Sequence, residues 1–172
     1  MDHFLYRHGI LHAEDVAIPS IVKAVGTPVY VYSTATLTRH YHLFKDALAG
    51  IDNLVCFAVK ANSNQAVLTH LAKLGAGMDV VSGGEYARAR AAGVPGQRIV
   101  FSGVGKTAAE MRMALEGGVR QFNVESEPEL RLLSTLATGM GRTAPIAVRV
   151  NPDVDAGTHE KITTGKADNK FG

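Results

Sequence analysis

Between residues 54 and 152 the chain alternates short apolar runs with stretches whose apolar residues recur every three or four positions. The runs 54–60, 77–82, 98–103, 121–126 and 145–152 read as strands, and helices are predicted near 64–74, 83–92, 106–116 and 128–138. Gly75, Gly93, Gly117 and Gly118 follow the predicted helices, where a left-handed cap suits glycine. Upstream, after an irregular start, "GTPVYVYS" (26–33) reads as a strand of β-branched and aromatic residues. Leu37, Tyr41, Phe44 and Leu48 then mark a helix over 34–49.

A strand–helix alternation predicts parallel strands, because each parallel connection needs a crossover and the crossover is usually a helix. Near-continuous apolar strands predict burial on both faces. A (β/α) barrel and a doubly wound sheet both fit this pattern. Polar residues gather at the C-terminal ends of the runs: Lys60, Asp79 and Ser82, Ser102, Asn123 and Glu125, Arg149 and Asn151. In a barrel those ends converge on one mouth, whereas a doubly wound sheet concentrates its ligand at one switch point. The punctuation after every strand favours the barrel, although five units are visible and a closed barrel needs eight.

Composition narrows the chemistry. A chain of 172 residues, 46% hydrophobic, has the material for a substantial core. A net charge of +2 without blocks of like charge lacks the basic footprint of a nucleic-acid binder. No apolar run approaches transmembrane length, and "MDHFLYRHGILHAEDV" has no long apolar signal core, so a cytoplasmic location is expected. The single cysteine, Cys56, excludes an internal disulfide and reads as a buried structural residue.

Three motifs fail on spacing. "GVGKT" (103–107) lacks the first P-loop glycine, Val100 standing in its place. Gly75 and Gly77 lack the third glycine of a dinucleotide fingerprint, which falls on Val80. "NPDVDAGTHE" has Ala156 for the turn glycine of a calcium loop and Ile162 for its last carboxylate. The seven histidines show no metal-ligand spacing, and no metal is expected.

Lys60 is different. It closes the apolar run Leu54–Val59 and precedes the small and polar residues "ANSN". A snorkelling lysine at the rim of a core is the ordinary explanation. The chemical alternative is an amine at a desolvated strand end, whose charged form is disfavoured and which bonds covalently to a carbonyl or to pyridoxal phosphate.

The segment "FAVKANSN" (57–64) resembles the cofactor-lysine segment of the diaminopimelate decarboxylases, fold-type III pyridoxal-phosphate enzymes with an alanine-racemase-like barrel. "HGILHAEDV" (8–16), "GTPVYVYS" (26–33), "GMDVVSGGEYARARAAG" (77–93) and "VRVNPDVDAGTHEKITTGKADNKFG" (148–172) follow in that family's order. The resemblance implies an α/β fold with a partial (β/α)8 barrel. Residues 1–33 would be associated with the family's β domain, and 34–172 would form the first part of the pyridoxal-phosphate-binding barrel. It implies that Lys60 carries pyridoxal 5'-phosphate and that Asp79 and Arg149 help bind it, with Glu85 supporting the site indirectly. A turn or cap residue for Asp79, a structural ion pair for Arg149 and a first-turn helix carboxylate for Glu85 are the alternatives. The implied reaction is decarboxylation of meso-2,6-diaminopimelate to L-lysine by a homodimeric parent enzyme. An ornithine- or arginine-type decarboxylase, or a non-catalytic cofactor-binding piece, stands as the alternative. The family's later "HIGSQ"-, "EPGR"- and "CESSD"-type segments have no counterpart here, so this piece by itself is expected to be inactive.

Overall fold

The structure is a computed structural model that describes residues 3–151. Its contacts divide the chain into two compact units, Met1–Asn53 and Leu54–Gly172.

The first unit opens with an antiparallel meander of β1 (Phe4–Arg7), β2 (Ile10–Ala13) and β3 (Val16–Ala17). His8 and Gly9, at φ 51° and 79°, form the two-residue turn that joins β1 to β2. Two left-handed residues match the twist of a tight hairpin, which is why glycine occupies the second place. Helix α1 (Ile18–Val25) follows, then α2 (Thr34–Ala47). Ser33 caps α2 by accepting from the Thr36 amide at 3.0 Å. Glu14, in the β2–β3 turn, accepts from the Ser33 hydroxyl at 2.8 Å and the Ala35 amide at 2.9 Å. These bonds, the Ala35 amide foremost, hold the Glu14 carboxyl below the usual carboxylate range.

Two expectations for this unit are corrected. The irregular start is a three-stranded sheet, and residues 26–33 are not a strand. Val29, Tyr30 and Tyr32 have the right composition, but among the described residues no strand pairs with them, and Tyr30 is 87% exposed. Strand propensity reports fitness for a paired, half-buried surface and lapses without one.

The second unit carries five parallel strands: β4 (Cys56–Ala58), β5 (Gly77–Val80), β6 (Ile99–Phe101), β7 (Gln121–Val124) and β8 (Ile146–Val148). Helices α3 (Gln65–Lys73), α4 (Gly83–Ala91), α5 (Ala108–Glu116) and α6 (Glu127–Gly139) alternate with them. The sheet order β4-β5-β6-β7-β8 follows the chain without reversal. That order belongs to consecutive barrel units, since a doubly wound sheet reverses at its switch point. The fold is therefore α/β, an arc of a (β/α)8 barrel.

Strand periodicity sorts the residues into two faces. Met78, Val80, Ile99, Phe101 and Phe122 are buried to zero exposure, with Phe101 stacked on Phe122 at 6.1 Å between ring centroids. Leu68, Met111 and Leu133 from the helices complete this core. Each such side chain contributes about 1.5–3 kcal/mol. The alternate residues Ala58, Asp79, Val100, Gln121, Asn123 and Ala147 are only half-buried. Burial on both faces, expected from the apolar runs, is thus corrected among the described residues: one face is dry over β5 to β7 and exposed at β8, and the other is polar and partly open.

Candidate functional site

Parallel pairing places every C-terminal strand end on one edge of the sheet, and the polar face leads to it. The chain leaves β4 through a 3-10 turn, Val59–Ala61. Val59 is fully buried, and its carbonyl accepts from the Asn62 amide at 3.1 Å. The next residue, Lys60, is exposed. This corrects the expectation of an amine at a desolvated strand end: the strand has already finished at Ala58, and Lys60 stands on the turn beyond it.

Asp79 lies within β5, opposite Ala58 on one side and Val100 on the other. It is neither a turn residue nor a cap. Its Oδ1 accepts from the Ser102 hydroxyl at 2.6 Å. The Ser102 oxygen accepts from the Asn123 amide at 2.9 Å, and Asn123 Oδ1 accepts from Gln121 Nε2 at 2.8 Å. One line of hydrogen bonds therefore crosses three strands on the polar face. Cys56 shares this face and is half-buried; burial raises its thiol above the ordinary range, the Asp79 charge adds to that rise, and Arg120 opposes it.

Beside that line, Arg149 donates to both oxygens of Glu125 at 3.2 and 3.3 Å. The Glu125 side chain is 2% exposed and Arg149 36%. Glu125 also accepts from the Gly103 amide at 3.2 Å, tying the ends of β6, β7 and β8 together. The ion-pair alternative for Arg149 is therefore present, at the edge where the expected site lies. Glu85 accepts from the Val81 amide at 2.8 Å, so its visible work is to hold the β5–α4 turn. Ser82 accepts from the Glu85 amide as the N-cap of α4 and serves the helix. The segment from Pro152 onward lies outside the described residues.

Sequence reasoning dismissed Lys106 with the failed P-loop, yet the structure gives it a central place. Its Nζ donates at 2.7 Å to the Gly103 carbonyl, the Asn123 carbonyl and Glu129 Oε1. The [ST]-x-x-E spacing repeated at Ser82–Glu85, Thr107–Glu110 and Ser126–Glu129 marks helix starts, Glu129 among them, but does not point to Lys106. Thr107 and Glu110 form a full capping box, and Glu110 also accepts from the Gly83 amide at 2.7 Å.

Backbone amides of Thr107 and Gly83 hold the Glu110 carboxyl below its ordinary value of 4.5. A carboxylate whose pKa is lowered on folding stabilises the fold above its unfolded value and loses that contribution as pH falls through the folded one. Glu110→Gln is accordingly expected to lower the urea midpoint at pH 7 and to flatten the acid side of the stability curve. Urea titrations at pH 7 and at successive steps below pH 4.5 check both effects.

Chemically, the edge fits pyridoxal phosphate. Lys60 supplies an exposed amine, Asp79 and Glu125 are carboxylates, and Arg149 is an anchored cation. Ala58 and Ala147, small residues on the same face, leave space for a flat ring. Among the described residues no group of histidine, cysteine and carboxylates is placed to hold a metal, and no helix is long and apolar enough to cross a membrane. A concavity of about 250 Å³ lined by Leu130, Leu133, Ala137 and Ile146 lies against α6 and includes none of these edge residues.

The family model for the pyridoxal binding domain of pyridoxal-dependent decarboxylases matches residues 34–172. A diaminopimelate decarboxylase of Pseudomonas fluorescens is 58% identical over 173 residues, covering 100% of this chain and 42% of that protein. Its counterpart in Vibrio cholerae is 54% identical, again covering 100% of this chain and 42% of the relative. Among solved structures, the Helicobacter pylori diaminopimelate decarboxylase in complex with L-lysine superposes with a TM-score of 0.87 at 44% identity, over 90% of this chain and 39% of that one. The M. jannaschii enzyme with L-lysine gives 0.87 at 39% identity, over 98% of this chain and 40% of that one. The chain thus spans about two-fifths of the length of the curated relatives it matches.

Proposed function

From the premise that this chain belongs to the pyridoxal-dependent decarboxylase family, its match being to that family's pyridoxal binding domain, we propose that it forms the cofactor-binding part of a carboxy-lyase acting on diaminopimelate and releasing L-lysine. The observation that carries this reading is the single edge shared by Lys60, Asp79 and the Glu125–Arg149 pair. Pyridoxal phosphate, when bound, supplies the electron sink for the pair left on the substrate as carbon dioxide departs.

Lys60 would hold the cofactor through its Nζ amine and would carry protons at that same atom. Its place on a turn suits both roles, because an amine that holds a group and also moves protons needs a mobile stem. Asp79 presents a carboxylate fixed at one oxygen by Ser102, which favours positive charge on nitrogen nearby. Arg149, held by Glu125, offers a guanidinium to an anionic group of the cofactor or substrate. The small residues of the polar face admit a planar ring while the helices keep water from the opposite face. The whole activity, which the names of the relatives support, is part of this proposal, and a homodimer and a cytoplasmic location are proposed with it.

The chain is tested after joining it to the part of the Pseudomonas fluorescens relative that the match does not cover. Loaded with pyridoxal phosphate, this protein is expected to show a visible cofactor band and to form lysine from diaminopimelate. A visible band with decarboxylation of ornithine or arginine, and none of diaminopimelate, would transfer the reading to the other amino-acid decarboxylases. The isolated chain, given saturating cofactor, is expected to form no measurable lysine.

A further inference from the structure

We infer that Ser102 and Asn123 are positioning residues that set the direction of the Asp79 carboxylate at the cofactor edge. The inference rests on the function proposed above and adds two residues to it. An ionised carboxylate only accepts hydrogen bonds, so the Ser102 hydroxyl at 2.6 Å must spend its one hydrogen on Asp79. The Ser102 oxygen then has only lone pairs to offer, and Asn123 must turn its NH2 group toward it at 2.9 Å. That choice points Asn123 Oδ1 at Gln121, which must present its own NH2 group at 2.8 Å. Every donation runs the same way and ends on Asp79 Oδ1. Among the described residues no hydrogen bond reaches Oδ2. One oxygen is anchored, and the other is left to the edge where Lys60 stands.

The anchor has a rigid base. The Asn123 carbonyl accepts from buried Lys106 at 2.7 Å, so the residue that directs Ser102 is itself held through its backbone. Asp79 lies on β5, Ser102 directly follows β6 and Asn123 lies on β7, with Gln121 two positions before Asn123 on the same face. Successive hydrogen bonds of one polarity strengthen one another. The arrangement therefore stiffens a charged group without placing a second charge against it.

The experiment uses the joined, cofactor-loaded protein described above, with Ser102→Ala, Ser102→Thr, Asn123→Ala and the double alanine variant. Expected for Ser102→Ala are a fall in kcat of about tenfold, the scale of one hydrogen bond to a charged group, and KM for diaminopimelate unchanged within about twofold. The visible circular dichroism of the bound cofactor should change, while the thermal midpoint stays within a few degrees of the parent. Ser102→Thr, which keeps the hydroxyl, should restore both kcat and the dichroic band. Asn123→Ala should act in the same direction more weakly, and the double variant should be no worse than Ser102→Ala, because Asn123 acts through Ser102. Unchanged kcat and dichroism in Ser102→Ala, failure of threonine to rescue, or full additivity in the double variant would each overturn the inference while the parent protein still turns over. A parent protein without cofactor band or lysine formation overturns the functional reading and this inference together. If Ser102→Ala does not fold, Asn123→Ala and Ser102→Thr decide by the same readouts.

Discussion

Lys60→Ala in the joined, cofactor-loaded protein is expected to abolish borohydride-fixed labelling of the chain and to lower turnover on the order of 10²–10⁴-fold or more. The rival amine is Lys106. Lys106 has spent all three N–H donors on Gly103, Asn123 and Glu129, and its side chain is 0% exposed. It has neither access nor a hydrogen to spare. Lys60 is exposed on the turn beyond β4, and no hydrogen bond among the described residues restrains it. Reduction followed by peptide mapping should find the label on Lys60 in the parent and nowhere in the variant. A label that moves to Lys106, or persists at full yield, would show that the amine has been misassigned.

The largest expected effect on stability belongs to the other lysine. Lys106→Met should destabilise the chain by about 3–5 kcal/mol, because it leaves a charge buried without its partner. Glu129, whose side chain is 8% exposed, would lose the ammonium 2.7 Å from its Oε1, and two carbonyls would lose their donor. Adding Glu129→Leu should recover part of that loss by removing the stranded charge. Recovery should be incomplete, since Glu129 also accepts from the Glu125 amide at 3.3 Å at the start of α6. Urea unfolding of the two single variants and the double variant measures the coupling. A Lys106→Met midpoint equal to that of the parent would mean that this pair does not support the fold.

How much of this was legible in the sequence follows from which signals were local. The four crossover helices and five parallel strands were visible because short apolar runs alternate with helical periodicity along the chain, and the structure places them within a few residues of expectation. The convergence of Asp79, Ser102 and Arg149 on one edge was legible once the alternation was recognised. The first three strands were missed because β1 to β3 are two to four residues long and His-Gly is a weaker hairpin signal than Asn-Gly. The strand expected at 26–33 failed for the opposite reason: good strand residues met no partner. Lys106 was misjudged because its meaning depends on Glu129, 23 positions away, and spacing within one motif is silent on that. The polarity of the Gln121–Asn123–Ser102–Asp79 line was equally hidden, because it depends on register between strands.

The carboxylates at the helix starts also bear on how the chain is made. Glu110 closes the turn at Gly83, 27 residues before it, and Glu129 closes the loop at Lys106, 23 residues before it. Each turn is therefore left open until the following helix has been synthesised. At about 5–20 residues per second, that wait is roughly 1–5 s on the ribosome. The second unit should therefore set in a wave that trails synthesis by one strand–helix repeat, with each newly emerged helix locking the turn made before it.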